Sequence, residues 1–169
     1  MSDHLVESYD KQLELINSNL VKMGGLVEQQ VKDSLKALDE KDTEFAEEIL
    51  KKDDKIDNLE KDIYALAYKI IAMRQPMAND LRTVVSALSI ANDLERMGDH
   101  ATNVAKRVAN VKVSMPSQSI SKIVQMGDDV QKMIKNVLDA FIKMSEKKAL
   151  NVWDSDCLLY TSPSPRDGW

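Results

Sequence analysis

Glu95 and Asp99 stand four residues apart in the run LERMGD. On a helix that spacing puts both carboxylates on one face, one turn from each other. At 3.6 residues per turn they lie about 40° apart, and roughly 90–130° from the centre of the alanine-rich stripe beside them. They therefore flank a core rather than enter it, and Asn103 continues their face by a further turn. Two like charges so placed repel by roughly 0.2–0.5 kcal/mol unless a cation bridges them, and hard oxygen donors suit Mg²⁺, Ca²⁺, Mn²⁺ or iron. A solvated acidic face is the ordinary alternative, since Asp53 and Asp57 repeat the spacing elsewhere. His100 projects away from the small residues. A phosphotransfer module also exposes a histidine on a helix, but GDHATN has no flanking lysine to receive phosphate. Arg74, Arg82 and Arg96 are expected to pair with nearby carboxylates. Catalytic patterns are missing: there is no Glu-x-x-His, no glycine-rich phosphate loop and no Ser/His/Asp context.

The elements that must position these groups read as helices. Leu5, Tyr9, Leu13, Ile16, Leu20, Met23, Val27, Val31, Leu35 and Leu38 recur every three or four residues, one stripe of a first helix, with Ser2 as its N-cap. At ~1.5 Å per residue that helix spans roughly 50 Å. Gly24 and Gly25 weaken it by ~2 kcal/mol relative to alanine and open a place for close approach. A second helix starts near Asp42, carries Phe45, Ile49, Ile56, Leu59, Ile63, Leu66, Ile70 and Met73, and stops before Pro76. A third runs from Asn79 or Asp80 to about Val111 with Ala87, Ala91, Leu94, Gly98, Ala101, Ala105 and Val108 inward. A fourth has Pro116 in its first turn, a cap at Met115 or its neighbours, and the stripe Ile120, Ile123, Val130, Ile134, Val137, Phe141.

Residues 20–41 repeat at a shift of 103 onto 123–144. Identities include Val21/Val124, Met23/Met126, Gly24/Gly127, Val27/Val130, Lys32/Lys135, Leu35/Leu138 and Ala37/Ala140. The fourth helix thus reads as the opening of a second copy. The expected fold is all-α: a long antiparallel three-helix bundle over 1–112, then the first helix of an incomplete second bundle over 113–156. That helix must fold back on the first bundle, dimerise or leave its stripe exposed. After Asp156 the text CLLYTSPSPRDGW loses helical periodicity, and residues 157–169 read as a non-native tail resembling translated adapter sequence.

Composition narrows the function classes. A net charge of −5 disfavours nucleic acid and anionic lipid, whose phosphates need clustered Lys and Arg. Between Asp39 and Asp62 there are 11 acidic residues against 5 lysines, a balance suited to cations or basic partners. The one cysteine, Cys157, precludes an internal disulfide and fits a reducing, cytoplasmic setting. No apolar run of 18 residues and no signal-peptide core occur, so direct membrane insertion is not expected. Most of the nine methionines fall on helical stripes as adaptable core filling.

RQPMANDLR at 74–82 followed by LERMGDHATNVA at 94–105 resembles the first-repeat signature of the PhoU family of phosphate-uptake regulators. Asp57-Asn58-Leu59-Glu60 fits the same pattern, and the resemblance covers about residues 1–156. It implies two tandem three-helix bundles, metal clusters on Glu-x-x-x-Asp motifs carried here by Glu95 and Asp99, and further ligands at Asp57, Glu60 and Asp80. The metal would be a divalent or trivalent ion such as iron, Mg, Mn or Zn. The resemblance also implies negative regulation of phosphate uptake and of phosphate-starvation signalling, by contact with the transporter ATPase and a membrane sensor histidine kinase. A homodimer is expected, and no enzymatic activity. The rival readings are a histidine phosphotransfer module using His100 and a purely structural helical adaptor.

Overall fold

The first helix forms where its stripe demands. In the computed structural model, which describes the backbone of residues 2–51, 54–110 and 115–160 and the side chains of 9–51, 54–110 and 115–155, α1 spans Ser2–Glu40 and buries Ile16, Leu20, Met23, Val27, Leu35 and Leu38. The side chain of Ser2, the expected cap, lies outside the described residues. Lys41 ends the helix in the left-handed region at φ 55. The Asp42 N–H then donates back to the Ala37 carbonyl at 3.0 Å, the six-to-one bond of a Schellman ending. Asp42 also caps α2 (Thr43–Leu50): its carboxylate accepts from the Phe45 N–H at 2.9 Å, relieving one unpaired donor of the new helix.

The continuous second helix expected over 42–73 is instead two, α2 and α3 (Asp54–Arg74). The charged run from Lys51 to Lys55 has no apolar side chain to continue the stripe between Leu50 and Ile56. In α3, Ile56, Leu59, Ile63, Ala67 and Ile70 are buried, while Met73, assigned inward by periodicity, is exposed. Gln75 and Ala78 adopt positive φ around Pro76 and turn the chain into α4 (Asn79–Asn110). All seven small or apolar residues expected on the inner face of α4 are buried.

Helix α1 is shared. On one flank it packs with α3 and α4 into a bundle whose core includes Leu20, Val27, Ile63, Ala87 and Ala91. On the other it receives α5 (Ser117–Ile142), so the fourth stripe folds back on the first bundle. Ile134 and Leu138 enter the main core, and Ile120 joins Leu38, Ile49, Ala105 and Val108 at the opposite end. Pro116 takes the N-cap position rather than the first turn. Val137, expected inward, is exposed and Leu138 is buried in its place.

The α1–α5 contact is reciprocal. A Cβ built on Gly24 would collide with Leu138 Cδ1, and one on Gly127 would collide with Leu35 Cδ1. Gly24 and Gly127, like Leu35 and Leu138, are 103 residues apart, so each copy's leucine fills the other copy's glycine socket. The following turn repeats as well. Met144 has φ 47 as Lys41 has φ 55, and the Ser145 N–H donates to the Ala140 carbonyl at 2.9 Å as Asp42 does to Ala37. Ser145 Oγ accepts from the Lys148 N–H at 3.4 Å, matching Asp42 and Phe45. This turn leads into α6 (Glu146–Tyr160), an element the hydrophobic pattern did not announce. Its backbone runs through Cys157–Tyr160, beyond the expected end of ordered sequence at Asp156, because the first proline there is Pro163; residues 161–169 lie outside the described part.

Candidate functional site

The LERMGD segment sits at a close approach of α4 to its neighbours. A Cβ on Gly98 would lie 3.0 Å from Ile56 Cδ1 of α3 and 3.9 Å from Val27 Cγ2 of α1. The glycine between Glu95 and Asp99 therefore lets α4 close on both helices. That closeness carries Glu95, half-buried, towards α3, while Asp99 and His100 stay exposed.

From α3, Asp57 and Glu60 are half-buried on the facing side. Burial, then the neighbouring Asp57 charge, raises the Glu60 carboxyl above the ordinary range, with Lys61 opposing. Tyr64, one turn on, is raised first by burial and then by Glu60, Tyr68 and Glu95. Its ring meets Tyr68 edge-on, with centroids 5.8 Å apart. Tyr64 thus feels one carboxylate from each of two helices, Glu60 of α3 and Glu95 of α4. Sequence reasoning passed over it, although Tyr64 follows Glu60 by four residues and so had to share its face.

Asp80 does not join this group. It opens α4, some fifteen residues before Glu95, which is roughly 22 Å along the axis. Its neighbour is Tyr9 of α1, whose phenol is raised first by burial and then by the charge and hydrogen bonding of Asp80. Of the arginines, Arg96 lies 4.0 Å from the Asp93 carboxylate at the surface, and Arg74 donates from Nε to Gln12 Oε1 at 3.4 Å.

Among the described residues, no three His, Cys, Asp or Glu side chains are grouped to hold a metal ion. The pairs Asp57/Glu60 and Glu95/Asp99 stand on two separate helices, α3 and α4. What the seam does have is concentrated negative charge over a tyrosine edge.

Deeper in the bundle, the buried Gln30 of α1 donates from Nε2 to Thr102 Oγ1 of α4. This polar link fixes the register of two otherwise apolar faces. No described helix is long and apolar enough to cross a membrane.

Long helices joined by a turn that recurs at a fixed spacing, and locked by reciprocal leucine sockets, define an all-helical repeat protein. The model of the PhoU domain matches residues 20–108. A phosphate-specific transport system accessory protein PhoU homolog of Caulobacter vibrioides is 37% identical over 157 residues, covering 92% of this chain and 68% of that protein. A protein of the same description from Clostridium acetobutylicum is 38% identical, over 88% of this chain and 68% of its own length. The crystal structure of PhoU from Pseudomonas aeruginosa superposes with a TM-score of 0.82 at 37% identity, covering 89% of this chain and 72% of that one. The chain belongs to the PhoU domain family.

Proposed function

We propose that this chain is an accessory regulator of phosphate transport, acting from the cytoplasmic side by contact with the transporter's ATPase and with a membrane sensor histidine kinase. The observation that carries this reading is identity of 37% sustained over 92% of the chain with a phosphate-specific transport accessory protein. The helix faces supply the means: rigid, charged surfaces that bind without covalent chemistry. Self-association as a homodimer belongs to the same reading. The test is phosphate uptake in a bacterium deleted for its own accessory protein. This chain should lower uptake in phosphate-rich medium towards the parental rate, and uptake unchanged by its expression would reject the proposal.

A second reading, cation binding along the α3–α4 seam, is supported by one carboxylate from each helix, Glu60 and Glu95, acting on the same tyrosine, Tyr64. Metal content of the purified protein after exposure to iron, Mg²⁺, Mn²⁺ or Zn²⁺ tests it. Occupancy should fall in a Glu95→Ala, Asp99→Ala double variant, and equal occupancy would dismiss the seam as a site. Phosphotransfer through His100 is separated by mapping any acid-labile label after treatment with a phosphodonor.

A further inference from the structure

Helix α4 carries two stripes. The inward one, from Val84 to Val108, closes the bundle. The second runs Leu81, Val85, Leu88, Asn92, Glu95, Asp99 in steps of four and three, and so follows one face for roughly 27 Å. Leu81 and Val85 are 38% and 48% exposed. Leu88 and Glu95 are half-buried, and Asn92 and Asp99 are exposed. Helix α3 runs beside this face. The chain reverses between Arg74 and Asn79, and Ile56 meets Gly98, so the two helices are antiparallel in a fixed register. Tyr68 then stands level with the stretch from Val85 to Leu88, and Glu60 level with Glu95. Tyr68 is 57% exposed and meets Tyr64 edge-on, and both Glu60 and Glu95 act on Tyr64.

The seam changes character along its length. No carboxylate occurs in residues 63–73 or 81–91, whereas residues 57–62 and 92–99 hold six, against Lys61 and Arg96. Arg96 already lies 4.0 Å from Asp93. We propose that the α3–α4 seam docks a basic amphipathic helix of a partner protein, its apolar side chains on Leu81, Val85 and Leu88 and its arginines reaching past Tyr68 to the acidic end. The inference names a surface for the contacts proposed above and rests on that reading's premise that helix faces bind partners. Only this occupant uses both ends. A metal ion would use the carboxylates and leave Leu81 and Val85 in water. An anionic lipid surface would accept the apolar end and be repelled by the acidic one. A second copy of the same face would set acid against acid when parallel and acid against leucine when antiparallel. A helix with an apolar stripe that passes into arginines meets its complement at every turn.

The experiment titrates the full chain, with EDTA present, into fluorescein-labelled alanine- and glutamine-based peptides of the stripe's length. The test peptide has leucine at three successive stripe positions and arginine at the next three, made in both orders. Two controls replace the arginines by glutamate or the leucines by glutamine. By fluorescence anisotropy one order of the test peptide should bind at least about tenfold more tightly than either control, and Val85→Gln should weaken it about tenfold, as expected from one valine left unburied. Raising the ionic strength from about 0.02 to about 0.3 M should weaken it several-fold. Val85 is exposed, so its replacement spares the core, and unchanged thermal unfolding verifies this. Equal affinities for test and control peptides, or an unchanged affinity in Val85→Gln, would overturn the docking site. So would a dimer in sedimentation that Val85→Gln splits, in favour of a second copy, or binding to phosphatidylglycerol vesicles that Val85→Gln abolishes, in favour of a membrane. The peptides are read without a transporter. Failure of the uptake test with these affinities intact rejects the phosphate reading alone, and failure of the peptides with uptake control intact rejects the seam alone.

Discussion

Neighbouring glycines in α1 should respond oppositely to the same substitution. Gly25 is exposed, and a Cβ there would meet nothing within 4 Å. Gly25→Ala should therefore stabilise by about 0.8–1 kcal/mol, the helix-propensity difference. Gly24→Ala gains the same propensity but drives a methyl into Leu138 Cδ1, with Cγ 3.5 Å away. Overpacking of this kind costs about 1–3 kcal/mol, so Gly24→Ala should range from neutral to about 2 kcal/mol destabilising. Gly127→Ala should be worse, because Leu35 Cγ and Cδ2 also stand 3.1 and 3.2 Å from the added atom, so more than the far tip of the side chain must give way. Leu35→Ala alone should cost about 2–5 kcal/mol through its cavity. In the Gly127→Ala background it should cost about 1–3 kcal/mol less, since the new methyl occupies part of the void. Urea unfolding followed by circular dichroism at 222 nm measures all five chains. If Gly24→Ala and Gly127→Ala proved as stabilising as Gly25→Ala, or the Leu35/Gly127 pair proved additive, the reciprocal sockets would not exist in solution.

Glu60→Gln tests the seam. Its folded-state pKa is raised, so its contribution is most favourable below the ordinary glutamate value of about 4.3 and is lost as pH rises through the shifted value. The glutamine variant should therefore exceed the parent in stability at pH 7, and the gap should close as pH falls towards 4; a gap that widens on acidification contradicts the shift. Thr102→Val should destabilise by about 1–3 kcal/mol, because the Gln30 amide loses its hydroxyl partner inside the bundle; chemical denaturation reads it. Asp42→Ala should lose about 0.5–2 kcal/mol with its cap, and hydrogen exchange should show the first amides of α2 opening sooner.

The helices most legible in the sequence were those with long, uninterrupted stripes. Asn79–Asn110 and its seven inward residues followed from period alone, because one apolar face on one helix leaves little choice. The break between α2 and α3 was missed because Ile49 and Ile56, seven residues apart, stay in phase across it; hydrophobic spacing is blind to a break that leaves the phase unchanged. Helix α6 was missed for the opposite reason. It has scant core to advertise, and its evidence lay in Ser145 and in the offset of 103 applied to the turn rather than to the stripe. For the acidic face, the placing of Glu95 and Asp99 one turn apart on one helix was visible. That Glu60 and Glu95 act on the same Tyr64 from two helices, and that Asp80 stands far from them along α4, depend on tertiary packing that spacing does not encode.

The sharing of α1 between two flanks has a consequence for biosynthesis. α1 emerges from the ribosome before α4 and α5, yet one flank waits for α4 to finish near residue 110 and the other for Leu138, roughly 28 residues later. At ~5–20 residues per second that second flank faces solvent for a few seconds, sticky and unshielded. Ribosome-bound chains halted between those lengths should be the ones that recruit a holding chaperone most strongly.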